Sequence, residues 1–163
     1  MKKATLALAV ASLLAAPAAF AGFVNGGFED GNLNGWTSGG GSWHGSPALP
    51  VNPATYNGGP SNNTITNVGG IDAITGAATT YTGQHAVRVN DATNDYSVST
   101  LRQSVAGYSD NSIFFAWNAV LESSHTTTDS DYFSLTLTDD TAGTTLVSRI
   151  YSSANTPGSF TNL

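Results

Sequence analysis

Residues 131 to 151 constrain the fold more than any other stretch. Phe133, Leu135 and Leu137 alternate with Tyr132, Ser134, Thr136 and Thr138. A period of two predicts a strand with one buried face and one wet face. Asp139-Asp140-Thr141-Ala142-Gly143 follows, a turn cluster in which Gly143 can take positive φ. Thr144 to Tyr151 then predicts the return strand of a hairpin. No long segment after residue 21 repeats apolar residues at helical spacing, so the chain reads as all-β.

Other segments extend this reading. Gln84 to Asn90 and Tyr96 to Val105 predict two more strands, the second with Leu101 and Val105 facing inward. Ser112 to Leu121 is apolar on both sides. Ile113, Phe115, Trp117, Ala119 and Leu121 share one side, and Phe114, Ala116 and Val120 the other. Such a strand is expected at the centre of a sheet, with its second face covered. Residues 38 to 83 carry Gly39-Gly40-Gly41, Gly58-Gly59-Pro60 and Gly69-Gly70, with Pro47, Pro50 and Pro53. They predict a long loop holding short strands at Ile65 to Val68 and Ile71 to Ile74.

The first residues are a leader rather than part of the fold. Lys2 and Lys3 precede an uncharged apolar run from Ala4 to Ala16, and Ala19-Phe20-Ala21 is a small-x-small cleavage pattern. These marks predict a secretory signal peptide over residues 1 to 21, cut after Ala21, and a secreted or cell-surface protein. The mature chain, residues 22 to 163, is one domain's worth of sequence without a membrane-spanning run. The formal net charge is −6, and after cleavage only Arg88, Arg102 and Arg149 remain basic. Nucleic acid is therefore a poor partner, since nothing can form a basic patch against phosphates. The absence of cysteine rules out disulfides, thiol catalysis, zinc–thiolate sites and iron–sulfur clusters.

Directly behind the cleavage point, Phe23 to Trp36 gathers Phe23, Phe28 and Trp36 with Glu29, Asp30 and four glycines. It predicts the first strand and corner of a β-sandwich. Asn25-Gly26-Gly27-Phe28-Glu29 followed by Gly35-Trp36 resembles the opening of jelly-roll carbohydrate-binding modules of the cellulase-associated, galactose-binding-like type. Gly83 to Val89, Leu101 to Val105 and the aromatic strand from Ile113 look similar to later pieces of those modules. The resemblance covers most of the mature chain except residues 38 to 83. More closely, the whole is similar to exported bacterial proteins of the PEP-CTERM, exosortase-sorted group. It departs from them at its end, where no Pro-Glu-Pro, apolar helix or basic tail occurs through Leu163. Phe160 and Leu163 look like the start of a further strand, so a jelly-roll-like sandwich lacking its last one or two strands is expected.

The resemblance implies a structural calcium ion held by Glu29, with backbone carbonyls and a late Asp that has no counterpart here. Calcium takes six to eight oxygens, and a glycine-rich corner exposes carbonyls. The plainer alternative is that Glu29 caps a turn or accepts backbone N–H bonds. The resemblance also implies extracellular polysaccharide as the partner, bound by aromatic faces. Trp43, Tyr56 and Tyr81 in the long loop and Tyr132 on the wet strand face are the candidates. Trp43 and Tyr56 can equally serve to anchor the loop, and Trp36 and Trp117 read as core.

Glu122, His125, Asp129 and Asp131 lie in one polar connection that lacks the glycine and distal Glu of a calcium loop; it reads as solvated. No Gly-x-Ser-x-Gly elbow occurs, and Glu29 and Glu122 are the only glutamates. The sequence therefore points to a non-catalytic exported protein. The alternatives are a structural or adhesive surface protein without a specific small ligand, and a secreted hydrolase.

Overall fold

A computed structural model describes residues 22–44, 51–93, 95–122, 130–154 and 158–162. The chain is all-β. Its strands are β1 (Thr37–Ser42), β2 (Thr64–Asn67), β3 (His85–Arg88), β4 (Ser97–Arg102), β5 (Trp117–Leu121), β6 (Tyr132–Asp139), β7 (Thr144–Ser152) and β8 (Gly158–Asn162). A single 3₁₀ turn at Pro53–Tyr56 is the helical element among the described residues. No helix among them is long and apolar enough to cross a membrane. The strands pair as four antiparallel ribbons, β1–β4, β2–β3, β5–β8 and β6–β7. This is consistent with a β-sandwich, and the strand order does not establish a jelly roll.

The β6–β7 hairpin forms where the alternation predicts it. Phe133, Leu135 and Leu137 are shielded, while Ser134, Thr136 and Thr138 are exposed. Gly143 takes φ +65° in the turn. The register passes from Leu137↔Val147 to Thr138↔Thr145, so Leu146 is the extra residue of a β-bulge. Trp117 of β5 stacks on Phe133 at 5.0 Å and meets Tyr151 at 5.5 Å. This aromatic cluster joins β5 to the hairpin. Nearby Ala119 and Leu121 are among the most buried apolar residues.

β1 overturns the reading of residues 38 to 83 as loop from their start. Its glycines pair in register with β4, Gly39 with Thr100 and Gly40 with Ser99. The glycines are there because other backbone lies on top of them. A Cβ on Gly39 would overlap the carbonyl oxygen of Tyr56, and one on Gly40 would overlap that of Pro60 and come within 2.6 Å of that of Val98. Residues 56 to 61 thus pack directly on β1. β2 occupies much of the predicted Ile65–Val68 strand, and Ile71 makes only an isolated bridge to Ala78.

Two asparagines fasten the β1–β4 ribbon to β2–β3. Asn63 Nδ2 donates to Ser38 Oγ at 2.9 Å and to the Thr100 carbonyl at 2.8 Å. Its Oδ1 accepts the Asn90 N–H at 3.3 Å. Asn90, at φ +68°, accepts the hydroxyls of Ser97 and Ser99 on its own Oδ1. Asparagine tolerates the left-handed region better than most residues, which fits it to this corner.

Two expected strands are corrected. Phe23 to Trp36 is a run of turns, with Asn25 at φ +48°, Phe28 at +61°, Gly31 at +65° and Gly35 at +87°. Repeated left-handed residues cannot continue a ladder. The aromatics still gather, Trp36 lying between Phe28 at 5.1 Å and Phe23 at 6.2 Å. Ser112 to Leu121 is a strand only from Trp117, and Phe114 is 77 % exposed. β5 pairs with β8 alone among the described residues, so it is not the central strand of a wider sheet there. Among the described residues, Trp43, Ala119 and Leu121 are the buried large or aliphatic apolar members of the core.

Candidate functional site

Glu29 sits in the turn after Phe28, against the start of β3. Its carboxylate accepts the Gln84 N–H at 2.9 Å and the His85 N–H at 3.3 Å. The Gln84 N–H draws its pKa below the ordinary value; partial desolvation opposes this, and the His85 N–H and ring charge reinforce it. Gly83 makes the approach possible, since at φ +75° its missing Cβ leaves the space the carboxylate fills. Glu29 therefore ties the opening turns to β3, the plainer of the two roles expected from sequence.

Glu29 is the side chain expected to hold calcium together with backbone carbonyls. Both carboxylate oxygens face N–H donors, and among the described residues no three His, Asp or Glu side chains gather to hold an ion. In the polar connection after β5, Asp131 Oδ2 accepts the Glu122 N–H at 2.8 Å. His125 and Asp129 lie outside the described residues.

The four expected aromatic contacts separate. Trp43 is 9 % exposed, so it is a core residue, not a platform. It is held there by its N–H, which donates to the Tyr96 carbonyl at 2.8 Å across the end of the β1–β4 ribbon. Tyr56 lies with its ring over Gly41, 3.1 Å from where a Cβ would stand, and anchors the 3₁₀ turn to β1. Tyr132 is half-buried, with a shielded hydroxyl that makes no hydrogen bond among the described residues. Burial raises its pKa. It is not the wet-face residue that alternation suggests. Tyr81 alone of the four presents its ring to solvent, at 55 % exposure.

Sequence reasoning missed Tyr96. It is 49 % exposed and its ring lies 4.8 Å from that of exposed His44, the two planes inclined at 52°. The pair is built by the ribbon itself: β1 and β4 bring residue 43 beside residue 96, and the side chains next to that link meet outside. The signal available in sequence was the position of Tyr96 at a strand entry just after the polar Asn90–Asp95 connection. Phe114 is also exposed.

An open depression of about 240 Å³ lies between the opening turns and the residues after β4, lined by Val24, Gly35, Gln103 and Val105 among others. The Gln103 amide at its wall bonds both backbone groups of Val24. No family model, no curated protein and no solved structure matches the chain, so the site stands on this geometry alone.

Proposed function

We propose that this is an exported, non-catalytic protein that associates with extracellular polysaccharide. The observation that carries the reading is the Tyr96–His44 pair, an exposed ring surface beside the backbone bond that joins Trp43 to Tyr96. A flat, partly apolar ring face with polar neighbours is what a pyranose stacks on. Tyr81 is a second exposed ring. The leader-like start and the acidic, lysine-poor mature sequence support export. Affinity electrophoresis of the purified protein through gels containing soluble polysaccharides tests this. Retardation by at least one polysaccharide that Tyr96→Ala removes is expected, and free migration through all of them overturns it.

A second reading is a structural or adhesive surface protein with no specific small ligand. Exposed Phe114, Leu146 and Ile150 favour it, because large apolar side chains left in water suit a surface that meets other surfaces. Saturable glycan binding at defined rings separates the first reading from the second.

A further inference from the structure

Three Asn–Gly pairs occur in the chain, Asn25-Gly26, Asn34-Gly35 and Asn57-Gly58. An asparagine followed by glycine is open to attack by the next backbone nitrogen, because glycine has no Cβ to hinder the approach. The fold treats the three pairs differently. We infer that Asn34–Gly35 is a self-modification site, where asparagine converts without an enzyme to aspartate and isoaspartate.

Asn25 is locked. Its Nδ2 donates to the Asn32 carbonyl at 2.9 Å, and its Oδ1 accepts the Asp30 N–H at 3.2 Å. Its carbonyl also accepts the Phe28 N–H and the Trp36 Nε1–H. Rotating this side chain onto the Gly26 nitrogen would break several of these bonds. Asn57 is restrained by its backbone. It caps the 3₁₀ turn with its N–H on the Ala54 carbonyl and bridges to Gly39 of β1. Tyr56 and Gly59 on either side are pressed on β1 as well.

Asn34 has neither restraint. Asn34 and Gly35 are the central residues of the turn closed by the Trp36 N–H on the Leu33 carbonyl at 3.0 Å. Gly35 takes φ +87°, as the third position of a type II turn requires. Both residues are exposed. Among the described residues the Asn34 side chain makes no hydrogen bond, and neither does the Gly35 N–H. The one bond on the Asn34 backbone is its N–H to Asn32 Oδ1, at 2.9 Å.

The step balances without an oxidant or reductant. The Gly35 nitrogen attacks Cγ of Asn34, so an N–Cγ bond forms and the Cγ–Nδ2 bond breaks. Nδ2 leaves as ammonia, taking up the proton that the Gly35 nitrogen loses. Water then opens the resulting five-membered imide at either carbonyl. One opening gives aspartate. The other gives isoaspartate, which adds one backbone atom directly before Gly35. Either product adds a negative charge, and the second lengthens the turn that seats Trp36 between Phe23 and Phe28.

The test is peptide mass mapping of the intact protein held at mildly alkaline pH, with fragmentation to locate each change. In the folded protein, loss of the amide at Asn34 comes first, Asn57 follows more slowly, and Asn25 is retained. In urea the three pairs convert at similar rates, which shows that the fold sets the order. Asn34→Gln removes the early product while the other two sites keep their rates. Conversion of Asn25 or Asn57 as fast as Asn34 in the folded protein overturns the inference. So does an Asn34 that stays intact while the urea-unfolded chain converts.

Discussion

The side chain of Gln103 serves Val24 as a strand neighbour would. Val24 donates its N–H to Gln103 Oε1 at 2.7 Å, and Gln103 Nε2 donates back to the Val24 carbonyl at 2.9 Å, across 79 residues of sequence. One amide thus satisfies both backbone groups of a residue that belongs to no sheet. Each such bond is worth about 1 kcal/mol net, and less where water competes. Gln103→Ala is therefore expected to cost about 1 kcal/mol in urea unfolding. Gln103→Glu keeps the acceptor but loses the donor, and should cost a smaller amount. Equal stability of all three proteins would show that the opening turns are held by the aromatic cluster alone.

Glu29 makes a pH-dependent fastening. Its carboxyl is drawn below the ordinary range by the Gln84 N–H in the first place. A depressed acid contributes stability above its unfolded value, and that contribution is lost as pH falls through the folded value. Glu29→Gln should therefore lower the Tm at neutral pH. The gap to the parent should close below about pH 4, where the unfolded glutamate protonates. Asp72 and Asp95 are depressed as well, Asp72 chiefly by the Thr75 N–H and Asp95 by hydrogen bonding to Ser97, so both proteins lose stability together in acid. The informative quantity is the difference in Tm, followed from pH 7 to pH 3 by circular dichroism. A gap that persists unchanged in acid would count against the carboxylate as the fastening group.

Gly40 and Gly69 offer a matched pair. An added methyl at Gly40 meets the carbonyl oxygens of Pro60 and Val98, while one at Gly69 meets nothing within 4 Å but sits at φ +83°. Gly69→Ala pays only for the left-handed conformation, about 1 kcal/mol. Gly40→Ala forces two packed backbones apart, at the upper end of the 1–3 kcal/mol typical of overpacking, roughly 3 kcal/mol. Thermal melts of the two variants decide this, and equal losses would mean that residues 56 to 61 do not press on β1.

That pair also shows where the sequence was legible. The β6–β7 hairpin could be read because Phe133, Leu135 and Leu137 carry the period in their side chains. β1 could not, because Gly39, Gly40 and Gly41 have no side chains to show a period, and their reason lies in backbone brought over them from residues 56 to 60. Phe23 to Trp36 misled in the opposite way. Its aromatics suggested a strand, but the positive φ at Asn25 and Phe28 is decided by hydrogen bonds among Asn25, Asp30 and Asn32 that no local propensity encodes. At the candidate site, Glu29 was visible as a residue with a specific contact. Its partners, the N–H groups of Gln84 and His85, were not, since backbone donors leave no mark in a sequence.

The aromatic residues make the sharpest separation between binding and folding. Trp43 is core, and truncating a buried tryptophan costs about 3–5 kcal/mol, so Trp43→Ala should unfold or nearly unfold the β1–β4 end of the chain. Tyr96→Ala and Tyr81→Ala remove rings that are about half in water, and each should shift stability by less than about 1 kcal/mol. If Tyr96 and His44 form the sugar platform, Tyr96→Ala abolishes retardation in polysaccharide gels at unchanged Tm. Tyr96→Phe should then retain it, because the ring face and not the hydroxyl makes the contact. Loss of binding only in parallel with loss of Tm would reduce Tyr96 to a structural residue. Full binding by Tyr96→Ala would move the platform to Tyr81, where the same pair of measurements on Tyr81→Ala and Tyr81→Phe decides.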